Sequence, residues 1–415
     1  MSDRIRLAVV GCGVIGRLHA EVIARHPDLS LTAVLDIDLT RAQAVAEMAR
    51  DIEGAGAGQG TAVSGTAVSG TPLSGTPGPY VTDSLADLLG RDDVDAVAVA
   101  VPSGRHADIS VQVLATGRHL VVEKPLEVTV ARARLIAEAA AAAPAGTLAT
   151  VISQHRFDPA SVAVHDAVAR GALGRLTSAV ATVPWWRSQG YYDSGDWRGT
   201  WALDGGGSLM NQGIHTADLL LWLLGTPVDV IARTARLAHE RVEVEDTVAA
   251  VLRFESGALA TLHATTAARP GLTVRIQLMG DGGSTVLDND RLFYFHSAGQ
   301  ESGAPGVDRG IGGGGNQAAS LVPRAEAGQV VGGGPGTGSM LAGHTRQYDD
   351  VVRAIRTGTA PGVTVADALA AVATVQSVYE AARTGRAVRV ADVLDGTVVP
   401  RPVPATPAPQ SRALS

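Results

Sequence analysis

The sequence predicts an α/β chain in two parts: a doubly wound parallel sheet at the N-terminus, then an α/β domain built on a large open, mainly antiparallel sheet. Three observations carry this expectation. A glycine-rich turn, Gly11-Cys12-Gly13-Val14-Ile15-Gly16, stands between an apolar run and a helical pattern. Short apolar runs alternate with helical patterns as far as residue 150. From 151 onward the segments lengthen and alternate partly between polar and apolar.

Residues 5–10 (IRLAVV) read as a buried strand, being short, apolar and closed by glycine. A helical pattern then runs from Gly13 through His19, Val22 and Ile23. Residues 31–36 form a second strand, 40–50 a helix, 79–82 a strand, 94–101 a strand and 106–116 a helix. Residues 119–124 are strand again and 128–142 helix. Strands and helices at this spacing are βαβ units, which makes the sheet of residues 1–150 parallel. Residues 54–79 break the rhythm: SGT recurs at 64–66, 69–71 and 74–76. A Gly/Ser/Thr/Ala/Pro composition buries no core, so this reads as a disordered insertion.

The second domain spans 151–397. Strands are expected at 176–183, 228–237, 246–254, 257–265 and 272–279, with FESG at 254–257 as a hairpin turn. A helix is expected at 208–224, a Gly-rich flexible loop at 298–339, and helices at 343–357 and 364–384. The Pro/Ala-rich end, 398–415, reads as a loose tail.

Composition narrows the function classes. The 415 residues carry a formal net charge of -7 and no basic runs, which argues against a nucleic-acid surface. Cys12 is the one cysteine, so no disulfide can form within the chain. MSDRIRLAVV places charges where a signal peptide needs an apolar core, and runs such as 94–101 are too short to cross a bilayer. A cytoplasmic protein without membrane partners is expected. Four of the five tryptophans (Trp185, Trp186, Trp197, Trp201) fall in one stretch that is also rich in Arg, Tyr, Asp and Gly, which suits a ligand-facing region better than a core.

The glycine turn follows a strand and opens a helix, and Asp36 closes the next strand 20 residues after Gly16. That is the Rossmann dinucleotide fingerprint: glycines let backbone N–H groups approach a pyrophosphate at a helix N-terminus, and the acid accepts hydrogen bonds from the adenosine ribose. Gly11, Gly13, Val14, Ile15, Gly16 and Asp36 are the expected cofactor contacts. A carboxylate at 36 repels a 2′-phosphate, so NAD is favoured over NADP. Arg41 reads as part of a solvated helix face.

Glu123-Lys124-Pro125 ends the strand 119–124, and ligands bind at the carboxyl ends of such strands. Lys124 is thereby placed toward the reactive end of the cofactor, held out of the helical region by Pro125. Further on, Asp204-Gly205-Gly206-Gly207 leads into a helix bearing Asn211, His215 and Asp218. Asn211 and His215 are four apart and share a face; Asp218 is three beyond His215 and within its reach. Hydride loss from an alcohol needs a base and a cation beside the developing alkoxide, roles that His215 and Lys124 can fill, with Asn211 orienting substrate or His215. No third ligand accompanies His215 and Asp218, so a metal is not expected. The Lys124–Pro125 bond is expected to be cis, a form found at tight active-site turns.

The segments VVGCGVIGRLHA (9–20), VAVPSGRHADIS (99–110), HLVVEKPL (119–126), QHRF (154–157), GGGSLMNQGIHTADLL (205–220) and EDTVAAVLRFESGALATL (245–262) together resemble the Gfo/Idh/MocA family, which includes glucose-fructose oxidoreductase and inositol dehydrogenase. The resemblance implies a Rossmann domain plus an open-sheet domain that often forms the oligomer interface, in a homo-dimer or homo-tetramer. It implies that Lys124 and His215 are catalytic. It places Ser103, His106, Glu123 and Lys124 near the cofactor and Arg156 near the active-site mouth. Many inositol-dehydrogenase-like members carry Asp where this chain has Asn211, a departure that weakens a carboxylate–histidine dyad. The stretch 191–215 is similar to members that oxidise UDP-N-acetyl sugars at the 3-position, which would make Tyr191, Trp197, Arg198 and Trp201 pocket residues. The expected activity is NAD-dependent hydride transfer at a secondary alcohol of a sugar, nucleotide-sugar or inositol-like polyol. A redox-neutral NAD-using glycosidase of the same fold and a non-catalytic NAD/sugar-binding regulator are the alternatives. Retention of both Lys124 and His215 counts against the regulator.

Overall fold

The computed structural model describes residues 4–57, 78–298, 315–322 and 337–403. The expected insertion lies outside these residues from 58 to 77, as do most of the Gly-rich loop and of the tail.

Six strands form the first sheet: β1 (Ile5–Val10), β2 (Leu29–Leu35), β3 (Tyr80–Thr82), β4 (Ala96–Val99), β5 (His119–Val122) and β6 (Ala149–Val151). All pair in parallel, in the order β3-β2-β1-β4-β5-β6. Helices cover both faces, which is why the central strands β4 and β5 are apolar without alternation. Ala20, Ile23, Ala42 and Val45 of the helices Val14–Arg25 and Leu39–Ala57 pack on one face. Val113 and Ile136 of the helices His106–Ala115 and Val130–Ala142 pack on the other. The strand order reverses between β1 and β4, which opens a crevice at their carboxyl ends.

The second sheet holds β7 (Leu176–Pro184), β8 (Pro227–Ala235), β9 (Thr247–Phe254), β10 (Leu259–Thr265), β11 (Arg275–Gly280), β12 (Gly283–Asp288), β13 (Arg291–Ser297) and β14 (Val388–Arg389). Their order is β13-β12-β11-β7-β10-β9-β8-β14, with β7 and β10 the parallel pair. The expected open, mainly antiparallel sheet is therefore present. β9 shows the reason: Val248, Ala250, Leu252 and Phe254 point inward while their neighbours face out. The FESG turn joins β9 to β10, with Gly257 at φ +85°. The β12–β13 hairpin turns on Asn289 and Asp290, both left-handed (φ 45° and 62°), as a two-residue primed turn requires.

Three expectations change. The helix Thr337–Thr357 starts earlier than residue 343, and its Tyr348, Val351 and Val352 join the first sheet's core beside Leu7 and Val9. Residues 315–322, expected within a flexible loop, dock on β13, where the Asn316 carboxamide accepts the Phe295 N–H and donates to the Phe293 carbonyl. The helix expected at 208–224 divides into a π-helical stretch, Ser208–Gly213, and the α-helix Ile214–Leu224. Glu245 explains the division. Its buried carboxylate accepts the Gly207 and Leu209 N–H groups, so the chain enters the helix tied to the second sheet. No helix among the described residues is long and apolar enough to cross a membrane.

Candidate active site

The glycine turn is shaped by close packing on two sides and openness on the third. A Cβ on Gly11 would stand 2.5 Å from the Ala100 carbonyl oxygen, and one on Gly16 would stand 1.6 Å from the Gly11 carbonyl oxygen, whereas Gly13 faces open space. The turn therefore needs two glycines for its own geometry and leaves Gly13 free to meet a ligand. Asp36 is buried and fixed: its carboxylate accepts the Cys12 N–H at 2.7 Å and the Asp38 N–H at 2.9 Å. Val14 and Ile37, 83% and 92% exposed, are apolar side chains left bare at the rim. Open glycine, oriented acid and uncovered apolar rim suit a dinucleotide.

The loops after β4 and β5 form the floor beside that crevice. Ser103 is buried in a single 3-10 turn, Ser103–Arg105. His106 places its ring nitrogens 3.0 and 2.9 Å from the Val101 and Pro125 carbonyl oxygens, which locks the two loops together. The Lys124–Pro125 bond is cis. Glu123, expected near the cofactor, is buried among histidines. Its Oε1 lies 3.1 Å from His19 Nε2 and 3.4 Å from His344 Nε2, and its Oε2 accepts the Lys124 N–H. Burial opposes its charge, but the two histidines hold the carboxyl well below the usual range.

Lys124 Nζ donates to the Asn211 carbonyl at 3.0 Å. That carbonyl belongs to the π-helical stretch, where the regular i→i+4 ladder is broken and an oxygen is released for the lysine. Burial lowers the lysine's ammonium below its ordinary value, against the pull of Glu123 and Asp204. His215 lines the same small cavity as Lys124, with Ser153 and Asp218. Burial first, and the Lys124 cation second, hold the His215 imidazole well below its ordinary value, so it is neutral and able to take a proton. His155 stands edge-on to it, ring centroids 5.1 Å apart. Burial disfavours a charge on His155, but Asp290 and Asp158 overcome it and push the ring up to about 10.

Several expectations are corrected here. Asp218 does not reach His215; it is paired with Arg156, which donates from Nε at 2.8 Å and from Nη2 at 2.6 Å, and with the Ser153 hydroxyl. Arg156 is accordingly 5% exposed, its guanidinium held by Asp218. The Asn211 side chain donates to Asp204, so its carboxamide does not orient His215. Burial pushes Asp204 up to about 6 against that donor and the Gly199 N–H. Of the four aromatic and cationic residues expected in the pocket, three come together. The Arg198 guanidinium lies 4.3 Å from the ring centroids of both Tyr191 and Trp197 and donates to the Tyr191 hydroxyl at 2.7 Å. Trp201 stands apart, its indole N–H on the Glu243 carbonyl and its ring against Tyr379.

Residue-by-residue reading missed the supports. Gln212 joins the Tyr191 hydroxyl, the Asn211 side chain and Arg187. Glu245, pushed up to about 7 by burial, anchors the π-helical stretch together with the Tyr379 hydroxyl. His344 and Tyr348 arrive from more than two hundred residues downstream of Glu123 and His19. The motif VVGCGVIGRLHA contains His19, but nothing local announces its partners.

Comparison with known proteins agrees with this geometry. Residues 5–149 match the oxidoreductase family with NAD-binding Rossmann fold, and residues 161–286 match the GFO/IDH/MocA C-terminal domain. Inositol 2-dehydrogenase 2 of Paenarthrobacter aurescens is 27% identical over 301 residues, 71% of this chain and 79% of that protein. The WlbA dehydrogenase of Bordetella pertussis, solved with NADH and UDP-GlcNAcA, is 29% identical with a TM-score of 0.72, covering 94% of this chain and 99% of that one. GenD2 from gentamicin A biosynthesis, solved with NAD, is 26% identical with a TM-score of 0.70, covering 94% of this chain and 97% of that one.

Proposed function

Because the chain belongs to the GFO/IDH/MocA family of NAD-binding oxidoreductases, we propose that it oxidises a secondary alcohol of a sugar, nucleotide sugar or inositol-like polyol, with Lys124 and His215 handling the proton. The observation that carries this reading is the pairing of a neutral His215 and a buried Lys124 in one cavity at the carboxyl end of β5. Bound at the glycine turn and Asp36, NAD would supply the hydride acceptor for the carbinol carbon. His215 takes the hydroxyl proton, and the Lys124 ammonium, held by the Asn211 carbonyl, stabilises the oxygen as negative charge develops. Asp36 favours NAD over NADP, since its carboxylate would face a 2′-phosphate. His106 fixes the loop that carries Ser103, and Tyr191, Trp197 and Arg198 hold the substrate beyond the reacting carbon.

The outward face of the second sheet leaves Ile231, Val251 and Leu259 exposed on β8, β9 and β10. Such a patch suits pairing of two copies in a homo-dimer or homo-tetramer.

The test is NADH formation from NAD across free sugars, inositols and UDP-sugars, with Lys124→Ala alongside. Sustained turnover that falls by about 100-fold or more in the variant, with NAD still bound, is the expected result. Turnover unchanged in Lys124→Ala would remove the lysine from the reaction.

A further inference from the structure

Two arginines beside the catalytic pair have no carboxylate partner among the described residues. Arg187 donates from Nη2 to the Gln212 side chain at 2.9 Å, and its guanidinium lies against the faces of Trp185 and Tyr191. Its Nε is buried with no hydrogen-bond partner. Arg198 is sandwiched between Tyr191 and Trp197 and spends one donor on the Tyr191 hydroxyl. Contrast Arg156 in the wall of the same site, whose fork is filled by Asp218.

These guanidiniums belong to the reacting site. Both act on Lys124, adding to the burial that lowers its ammonium. A continuous path of hydrogen bonds joins them to it: Lys124 to the Asn211 backbone, Asn211 to Gln212, Gln212 to Arg187 and to Tyr191, Tyr191 to Arg198. Three cations therefore lie close enough to act on one another. The nearby carboxylates are already committed, Glu123 to two histidines and Asp204 to Asn211 and the Gly199 N–H. Stacking on aromatic rings holds a guanidinium by its face and leaves its N–H edges available, and those edges match the paired oxygens of a carboxylate or phosphate. A neutral polyol would leave both guanidiniums without an anionic partner at hydrogen-bond distance.

We propose that the substrate carries an anionic group, a carboxylate or a phosphate, which Arg187 and Arg198 bind beside Lys124, so that neutral free sugars and inositols are poor substrates. This rests on the dehydrogenase reading above and narrows it.

The experiment uses the full chain with saturating NAD and four probes: D-glucose and myo-inositol as neutral alcohols, D-glucuronate as a carboxylate, and UDP-N-acetylglucosamine as a diphosphate. Initial NADH formation and, separately, the dissociation constant by calorimetry are measured for each. The expected result is that one anionic probe exceeds both neutral probes by about 100-fold in kcat/KM or affinity, with KM rising as salt is raised. R187Q and R198Q should each raise KM for that probe about tenfold or more while kcat moves less, and R198K should recover part of the loss. Which probe wins distinguishes a sugar carboxylate from a nucleotide phosphate. Equal binding of neutral and anionic probes overturns the proposal, and so do folded R187Q and R198Q proteins that keep the parent affinity. If no probe yields NADH, the dehydrogenase reading fails, while the calorimetric preference and its loss in the variants still decide this inference.

Discussion

His155→Gln should move the pH dependence of catalysis in a direction that the geometry fixes. Asp290 and Asp158 keep His155 cationic at neutral pH, and its ring centroid is 5.1 Å from that of His215. At that separation two unit charges repel by about 3 kcal/mol for an effective dielectric constant of 20 and by about 0.8 kcal/mol in bulk water. That repulsion adds to the burial and the Lys124 cation in holding the His215 imidazole below its ordinary value. A neighbouring cation disfavours the protonated ring, so removing it raises the pKa. The two carboxylates left behind push the same way. Because the base must be neutral to accept the proton, the acidic limb of kcat/KM should move to higher pH, with little change on the plateau above it. The assay is kcat/KM for the best alcohol from pH 5 to 9, parent and variant side by side, with circular dichroism confirming the fold. An acidic limb that stays put, or moves to lower pH, would refute the assignment of that limb to His215 under the influence of a charged His155.

Other perturbations follow from the same coordinates. Asp36→Ala should weaken NAD binding about tenfold or more and narrow its margin over NADP, read by fluorescence titration with both cofactors; unchanged affinities would take Asp36 out of the ribose site. Gly13→Ala, with open space around it, should fold normally yet bind NAD poorly. Gly16→Ala, whose Cβ would meet the Gly11 carbonyl oxygen at 1.6 Å, should lower the melting temperature as well, and equal stability of the two variants would contradict the packing of the turn. Asp218→Asn breaks a bidentate pair whose arginine is 5% exposed, and should cost about 3–5 kcal/mol in urea unfolding; a loss below about 1 kcal/mol would mean that Arg156 finds another partner.

The parts of the fold that the sequence announces are those governed by local rules. Apolar runs on β4 and β5 mark a sheet covered on both faces, and the alternation on β9 marks one covered on a single face. The glycine turn and Asp36 are legible because their roles are fixed by backbone geometry over 26 residues, from Gly11 to Asp36. Strand-end placement and residue chemistry pointed to Lys124 and His215, which the fold brings into one cavity. What stayed hidden depends on partners far along the chain. Helical spacing put Asp218 within reach of His215, but Arg156, 62 residues earlier, holds it. The same spacing extended one α-helix over 208–224, where Glu245, 38 residues beyond Gly207, imposes a π-helical start. Arg187 lies in a stretch recognised as Trp- and Arg-rich, yet only the folded chain shows that no carboxylate among the described residues answers it.

The helix Thr337–Thr357 has a bearing on how the protein is made. It supplies Tyr348, Val351 and Val352 to the core that backs β1, and His344 to the carboxylate next to Lys124. During synthesis the first sheet leaves the ribosome long before these residues exist, so the surface awaiting Tyr348 stays bare until translation has passed Val352. A nascent chain stalled short of that point presents a sticky apolar face and a lysine turn whose Glu123 lacks one of its two imidazoles. The core behind the first sheet is therefore completed late in translation, when the far end of the polypeptide closes over the near one.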